Sequence, residues 1–389
     1  MNVPTAPGLA DELDALYDRV RAKVGAEDLA FIERVADYSV AIEARGRELI
    51  RDAQTAQELW RGILLRALHV VVEFSELGHN IMHGSYDSID GVGRFRSDRW
   101  VWDFAVDPQQ WRTMHHQNHH PLTNVVGRDH DLGYTVARLF SSQDWFGHHA
   151  LQSLLPLMFL APTPLFGIYT ASSAARVEGR PALGRETLGV PLSLLRRWAR
   201  REFVDLPLRA GARAPLVVAA NQLSQSLGYS LVAFMLLVEH HGPQVAVFAD
   251  PGPYEDRDAY YERQIRGTTN FHGAEALMAG AEQVLRAEVV FEDPPPMNVF
   301  TGGLDTHLEH HLFPDLPCQR QREVVPLVRE VCERHGLPYN RVDIMEMLPD
   351  TLRLLGPMSA PIAPGERFRD LLSEPRRLVR RLVDGVRYR

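Results

Sequence analysis

The chain has 389 residues, room for one large domain or two, and its formal net charge of −8 gives no reason to expect a nucleic-acid partner. Its two cysteines, Cys318 and Cys332, form neither a disulfide framework nor a CxxC pair, which fits a reducing compartment and argues against a thiolate metal site. Histidine is the anomaly: there are 17, nine of them in three short clusters.

The first residues, Met1-Asn2-Val3-Pro4, lack a basic stretch followed by an apolar one, so no cleaved secretory signal is expected. Residues 1–58 read as amphipathic helices; Leu13, Leu16, Tyr17 and Val20 stand at helical spacing with charged residues opposite. Trp60 to His83 reads as one long helix packed through Leu64, Leu65, Leu68, Val71, Val72 and Leu77. On it Glu76, His79 and His83 share a face at i, i+3 and i+7. A histidine pair of this spacing, taken alone, serves structure as readily as metal binding. Tyr86 to Gln110 reads as a loop region with Gly91, Gly93 and Pro108. Trp100, Trp102 and Trp111 either line an apolar channel or act as core or interfacial anchors.

The second cluster, His115-His116-Gln117-Asn118-His119-His120, admits two registers. His115, His119 and His120 make one set and His116, His119 and His120 the other; both are feasible on an ideal helix. Downstream, Asn124, Asp129 and Asp131 can support ligand imidazoles from behind, because metal-bound histidine normally donates its other N–H to a carboxylate or carbonyl.

Mean hydropathy is −0.20, low for a chain that crosses a membrane several times. A spanning helix needs about 20 mostly apolar residues. Only Ala150–Ala171, broken by Pro156, Pro162 and Pro164, and Ala214–Val238 come near that. Between them Gly179–Arg213 is basic, with Arg196, Arg197, Arg200 and Arg201 together. If both stretches spanned, that segment would lie opposite the histidines, against the preference for basic loops on the cytoplasmic side. One resolution lays 150–171 in the interface and folds 203–240 as a helical hairpin. The second apolar stretch ends at Glu239-His240-His241-Gly242, which by itself reads as a solvated helix end. His272 and Asn270 are weaker candidates, as ligand and supporting residue.

The third cluster lies in Gly302-Gly303-Leu304-Asp305-Thr306-His307-Leu308-Glu309-His310-His311-Leu312-Phe313-Pro314. His307, His310 and His311 stand at i, i+3 and i+4 on one helical face. Neutral imidazole suits iron, zinc, copper or nickel. Beyond it, Cys318–Arg334 reads as an amphipathic packing helix, and Pro375–Arg389 alternates arginine with apolar residues. That tail suits an anionic membrane surface, an acidic redox partner or plain solvation.

Gly-Gly-Leu followed by His307-Leu-Glu-His310-His311-Leu-Phe-Pro resembles the third histidine box of the membrane fatty-acid desaturases. His79-Asn80-Ile81-Met82-His83 resembles the first box, and His115 to His120 contains the second. The resemblance runs from about Glu76 to about Asn340. It implies an all-α, membrane-associated helical desaturase fold with a cytosolic histidine-box di-iron cap. It divides the chain into an N-terminal helical segment 1–58, a desaturase domain 59–340 and a basic tail 341–389. The ligands it implies are His79, His83, His115, His119, His120, His307, His310 and His311, with His240 completing the set. It favours His115 over His116, because the following residues look like the subgroup with three intervening residues in the second box.

The implied activity introduces a C=C double bond into a fatty acyl chain in acyl-CoA, acyl-lipid or acyl-carrier form. O2 and two iron ions take part, at the cytoplasmic face of a cell membrane, in a chain that is multi-pass or partly embedded in its lipid. No His-Pro-Gly-Gly haem signature is present, so electrons are expected from an external donor such as ferredoxin with its reductase. His307 stands where desaturases acting toward the carboxyl end commonly carry glutamine, and is expected to bind iron directly. A lipid hydroxylase or related di-iron oxidase is the nearest alternative. A non-catalytic metal-binding lipid scaffold is the next. A zinc hydrolase needs only three or four ligands, fewer than these clusters offer. Soluble di-iron proteins use glutamates with Glu-x-x-His pairs, a different donor set.

Overall fold

The computed structural model describes residues 7–360 apart from 103–105, 136, 140–142, 144, 155–163, 243 and 253. The centre of the proline-broken stretch and the basic segment Pro375–Arg389 therefore lie outside the described residues. The chain opens with α1 (Leu9–Arg21), α2 (Ala26–Asp52) and α3 (Ala56–Val72), the last running on through a π-helical turn over Glu73–His79. Next, α4 (Pro108–Met114) continues into a second π-helical turn, His115–His119. Then come α5 (Pro164–Val177), α6 (Arg185–Arg200), α7 (Ala214–His241) and α8 (Arg257–Gly267). The last helices are α9 (Ala274–Glu288), α10 (His307–Leu312), α11 (Cys318–Arg334) and α12 (Ile344–Met358). The fold is mostly helical, as expected, with one addition: β1 (Asn270–His272) pairs in parallel with β2 (Arg341–Asp343).

Two of the helices that lead into the histidine clusters, α3 and α4, begin at well-formed caps. Thr55 Oγ1 accepts from Glu58 N at 3.2 Å while the Glu58 carboxylate accepts from Thr55 N at 3.1 Å, a reciprocal capping box for α3. Asp107 Oδ1 accepts from Gln110 N at 2.9 Å, and Pro108 occupies the first helical position of α4.

Close backbone contact sets the crossing of α2 with α3. A Cβ on Gly62 would stand 2.9 Å from Gly46 O and 2.9 Å from Ile50 Cγ1. Gly62→Val is therefore expected to lower stability by about 1–3 kcal/mol, the usual cost of overpacking, read as a lower denaturant midpoint. Helix α7 crosses α3 equally closely: a Cβ on Gly228 would lie 2.8 Å from Ala67 O.

The bundle interior also holds charge. Arg66 and Glu202 are each about 1 % exposed and pair at 2.9 Å; Arg66 Nη1 donates to Asn221 Oδ1 at 2.6 Å, and Arg47 Nη2 donates to Glu202 Oε1 at 2.8 Å. Arg201 Nη2 reaches Glu43 Oε1 at 2.9 Å, so this end of the basic segment packs against the bundle. Residues Ala214–His241 form one helix, not half of a hairpin over 203–240. Its polar residues Asn221, Gln222, Ser224, Gln225, Ser226 and Ser230 dilute its hydropathy. No described helix is long and apolar enough to cross a membrane, so the expected multi-pass arrangement finds no support among the described residues.

The N-terminal helix joins the core: Leu9, Leu13, Leu16 and Val20 pack with Ile265, Leu308, Phe313, Val324 and Val328. A second apolar cluster, with Phe74, Trp102, Trp111, Met114, Val238, Phe271 and Leu304, lies among the segments that carry histidine. Cys318 and Cys332 are buried free thiols.

Candidate metal centre

The π-helical turn at His115–His119 settles the orientation of the second cluster. Its i→i+5 bond runs from His120 N to His115 O at 3.1 Å. On an α-helix His120 would point about 140° away from His115. At about 4.4 residues per turn the angle falls to about 50°, and His119 lies about 30° to the other side. His115, His119 and His120 thus fall within about 80° of one another, and it is their nitrogens, not those of His116, that enter the buried groups. In the third cluster, helical spacing separates His310 from His307 and His311, so α10 serves two groups at once.

Five buried imidazoles, His79, His83, His115, His120 and His310, offer ring nitrogens within 4.8 Å of one another. His119, His240 and His311 form a second such group, and His307 Nε2 lies 2.7 Å from His240 Nε2. Within the groups, Nε2 atoms approach at 3.2 Å (His79 with His115), 3.2 Å (His120 with His115), 3.1 Å (His310 with His120) and 3.1 Å (His119 with His240). An imidazole–metal bond of about 2.0–2.1 Å puts neighbouring ligand nitrogens about 3 Å apart at a right angle. The spacing therefore suits ligands of a common ion.

Carboxylates, amides and a hydroxyl hold the outer ring nitrogens. His119 Nδ1 lies 3.0 Å from both oxygens of Asp129, and His115 Nδ1 lies 3.2 Å from Asp131 Oδ2. Asp129 is itself fixed by Asn124 N at 2.8 Å; Asn124 takes a left-handed backbone (φ 55°) and donates its amide to Ala246 O and Gly267 O. Tyr169 donates its hydroxyl to Asp131 Oδ1 at 2.8 Å. His311 Nδ1 faces Gln264 Oε1 at 3.1 Å and Thr123 Oγ1 at 3.1 Å. Asn270 braces α10: its Oδ1 accepts from Leu308 N at 2.7 Å, and its amide donates to Glu309 Oε2 at 2.8 Å. Trp111 stacks on the His115 ring with centroids 4.4 Å apart, so it serves the site as a wall.

Burial holds these imidazoles neutral. It pushes His79 down to about 3, with His119 adding to the effect, and drives His83, His115, His120, His240, His307, His310 and His311 well below the usual histidine range. His119 differs: burial opposes its charge, but Asp129 and Asp131 outweigh it and raise the ring. Neutral imidazole is the form a metal needs. A crowd of buried neutral donors with short nitrogen contacts fits a metal ion by its donor chemistry.

Not every candidate joins the groups. His272 is 42 % exposed at its side chain, lies on β1 and faces Asp343 at 3.8 Å. His116 is half-buried, and its Nδ1 meets His83 Nδ1 at 2.8 Å. Glu76 is fully buried with both oxygens lacking a hydrogen-bond partner; burial pushes it up to about 7, and Arg322 stands 3.9 Å away. Sequence reading overlooks Glu239, whose Oε2 lies 3.2 Å from His307 Nδ1 at an angle short of a hydrogen bond. Its place directly before His240 is the signal that could have found it. Gln264, Thr123 and Tyr169 carry no such local signal.

These features define a histidine-rich site that could hold metal, with more imidazole donors than the three or four that a hydrolytic zinc uses. The fatty acid desaturase family model matches residues 59–343, and the chain belongs to that family. It is 26 % identical over 366 residues to the NADPH-dependent stearoyl-CoA 9-desaturase of Mycobacterium tuberculosis, covering 91 % of this chain and 80 % of that one. To the sn-1 linoleoyl-lipid 6-desaturase of Synechocystis it is 23 % identical, over 72 % of this chain and 74 % of the relative. The Acyl-lipid (9-3)-desaturase of Borago officinalis matches more closely but over less, 45 % identity across 62 residues, 16 % of this chain and 14 % of the relative.

Proposed function

We propose that this desaturase inserts a C=C double bond into the acyl chain of an acyl-CoA or acyl-lipid, at two iron ions. His79, His83, His115, His120 and His310 would hold one ion, and His119, His240, His307 and His311 the other. The observation that carries this reading is the convergence of all three histidine clusters and His240 into two buried groups with nitrogen contacts near 3.1 Å. Bound iron would supply the power to reduce O2 and to take hydrogen from unactivated methylenes. The balance is one saturated –CH2–CH2– unit, O2, two electrons and two protons giving –CH=CH– and two waters. A separate protein supplies the electrons.

The chain's own residues position and shield. Asp129, Asp131 and Gln264 hold the outer nitrogens of His119, His115 and His311, fixing ring orientation and tautomer. Trp111 covers His115 and excludes water from that side. The names of the relatives support acyl-CoA or acyl-lipid as substrate, and such substrates call for contact with a lipid surface. Partial embedding accords with the described helices better than a multi-pass arrangement.

The test is lipid analysis of a host expressing the chain, paired with metal analysis of the purified protein from iron-replete cells. About two irons per chain and a new unsaturated acyl product are expected. A hydroxylated product would move the reading to a hydroxylase, iron without any product to a scaffold, and a single tightly held zinc would defeat it.

A further inference from the structure

We infer that His116 is a positioning residue that orients His83, and not a metal ligand; the inference rests on the two-iron reading above. His83 is 3 % exposed, and its Nε2 is buried with no hydrogen-bond partner. His83 belongs to the five-imidazole group, its ring 4.5 Å from His120 and 4.7 Å from His310 by centroid, and with Nδ1 engaged elsewhere Nε2 is the nitrogen left to face that group. The other ring nitrogen, Nδ1, meets His116 Nδ1 at 2.8 Å. A lone pair offered at Nε2 puts the ring proton of neutral His83 on Nδ1. His83 therefore donates, and His116 Nδ1 must accept. His116 in turn carries its proton on Nε2, and its ring is half-buried.

The same arrangement argues against ligation by His116. Its Nδ1 is taken up by His83 Nδ1 at 2.8 Å, while His115, its neighbour in the same turn, places Nε2 3.2 Å from both His79 Nε2 and His120 Nε2. His116 also belongs to none of the nitrogen groups formed among the described residues. Asp129, Asp131 and Gln264 support other ligands from outside; for His83 that support comes from an imidazole. A histidine adjoining a ligand cluster thus does the work that a carboxylate does elsewhere in the site.

The experiment compares wild type with His116→Leu and His116→Asn, each as the full chain loaded anaerobically with ferrous iron. Leucine fills the space and cannot accept; the asparagine Oδ1 stands close to where Nδ1 did. Iron per chain, the rate of iron loss to a competing chelator, and the near-infrared ligand-field bands of the ferrous site are measured. The thermal midpoint of the metal-free form checks the fold. His116→Leu is expected to keep about two irons, to release one of them about 10–100-fold faster, and to shift the bands of that iron. His116→Asn is expected to restore most of both.

If His116→Leu saturates at about one iron, His116 is a ligand and the inference falls. If release rate and bands match wild type, His116 is only packing and the inference falls alone. Wild type that does not hold two irons overturns the two-iron reading and this inference with it.

Discussion

His120→Ala is expected to abolish desaturation and to strip iron from the chain, the largest effect of any single histidine. Its Nε2 lies 3.2 Å from His115 Nε2 and 3.1 Å from His310 Nε2, so it contacts two other members of the five-imidazole group. Its ring also stacks on His311, from the second group, at 4.3 Å between centroids. Alanine therefore removes a nitrogen and opens a gap between both groups. The next residues, Pro121 and Leu122, offer no replacement donor. Loss of an outer partner typically costs 10–100-fold in affinity or activity; loss of this ligand should exceed about 100-fold in product formed per hour. Asp129→Asn, which keeps the size of the group but weakens acceptance from His119, is expected within the 10–100-fold range. Metal analysis and gas chromatography of acyl products measure both. Normal iron and turnover in His120→Ala would show that the five-imidazole group is not the catalytic centre.

Glu202→Ala is expected to destabilise the fold by about 3–5 kcal/mol, because it leaves Arg66 and Arg47 without their shared buried carboxylate. Arg66 is about 1 % exposed and would keep Asn221 as its hydrogen-bond partner among the described residues. Replacing the pair together, Arg66→Met with Glu202→Leu, should cost far less, since no unpaired charge remains. The same network predicts an acid limb. Burial opposes the charge of Glu202, but Arg66 and Arg47 outweigh it and hold the group below the usual carboxylate range. For Glu43, burial is likewise outweighed, by His69, Arg47 and Arg201, and the group is brought down to about 2. A depressed carboxylate contributes its full stability above the unfolded value near 4.3 and loses it as pH falls toward the folded value. Wild-type stability should therefore fall steeply from about pH 5 toward pH 2. Glu202→Ala should show a shallower acid limb from a lower starting point. Urea midpoints taken between pH 3 and pH 7 decide it; parallel curves for the two proteins would remove Glu202 from the account.

The donor chemistry of the centre was open to reading from residues alone. Histidine crowded at His79–His83, His115–His120 and His307–His311 calls for a metal that accepts imidazole, since packing has no use for so many. The capping of α3 and α4 and the amphipathic helix over Cys318–Arg334 were equally local, carried by side chains within a few residues of the backbone they serve. The multi-pass arrangement was implied by the resemblance and not by hydropathy, whose mean of −0.20 is low for such a chain, and no described helix is long and apolar enough to cross a membrane.

Tertiary structure alone decided which histidines stand together. The resemblance favoured His115 over His116 while helical spacing permitted either, and in the fold it is His115 whose ring nitrogen joins the five-imidazole group, in a turn closed by an i→i+5 hydrogen bond. His240 joins His119 and His307 only because α7 ends where two other segments arrive, over separations of 121 and 67 residues. Glu239, Gln264 and Tyr169 enter the site the same way. Local periodicity records which residues a helix can present. Where helices meet is set by close approaches such as Gly46 against Gly62 and Gly228 against Ala67, whose cost and reward appear only once the chains are packed.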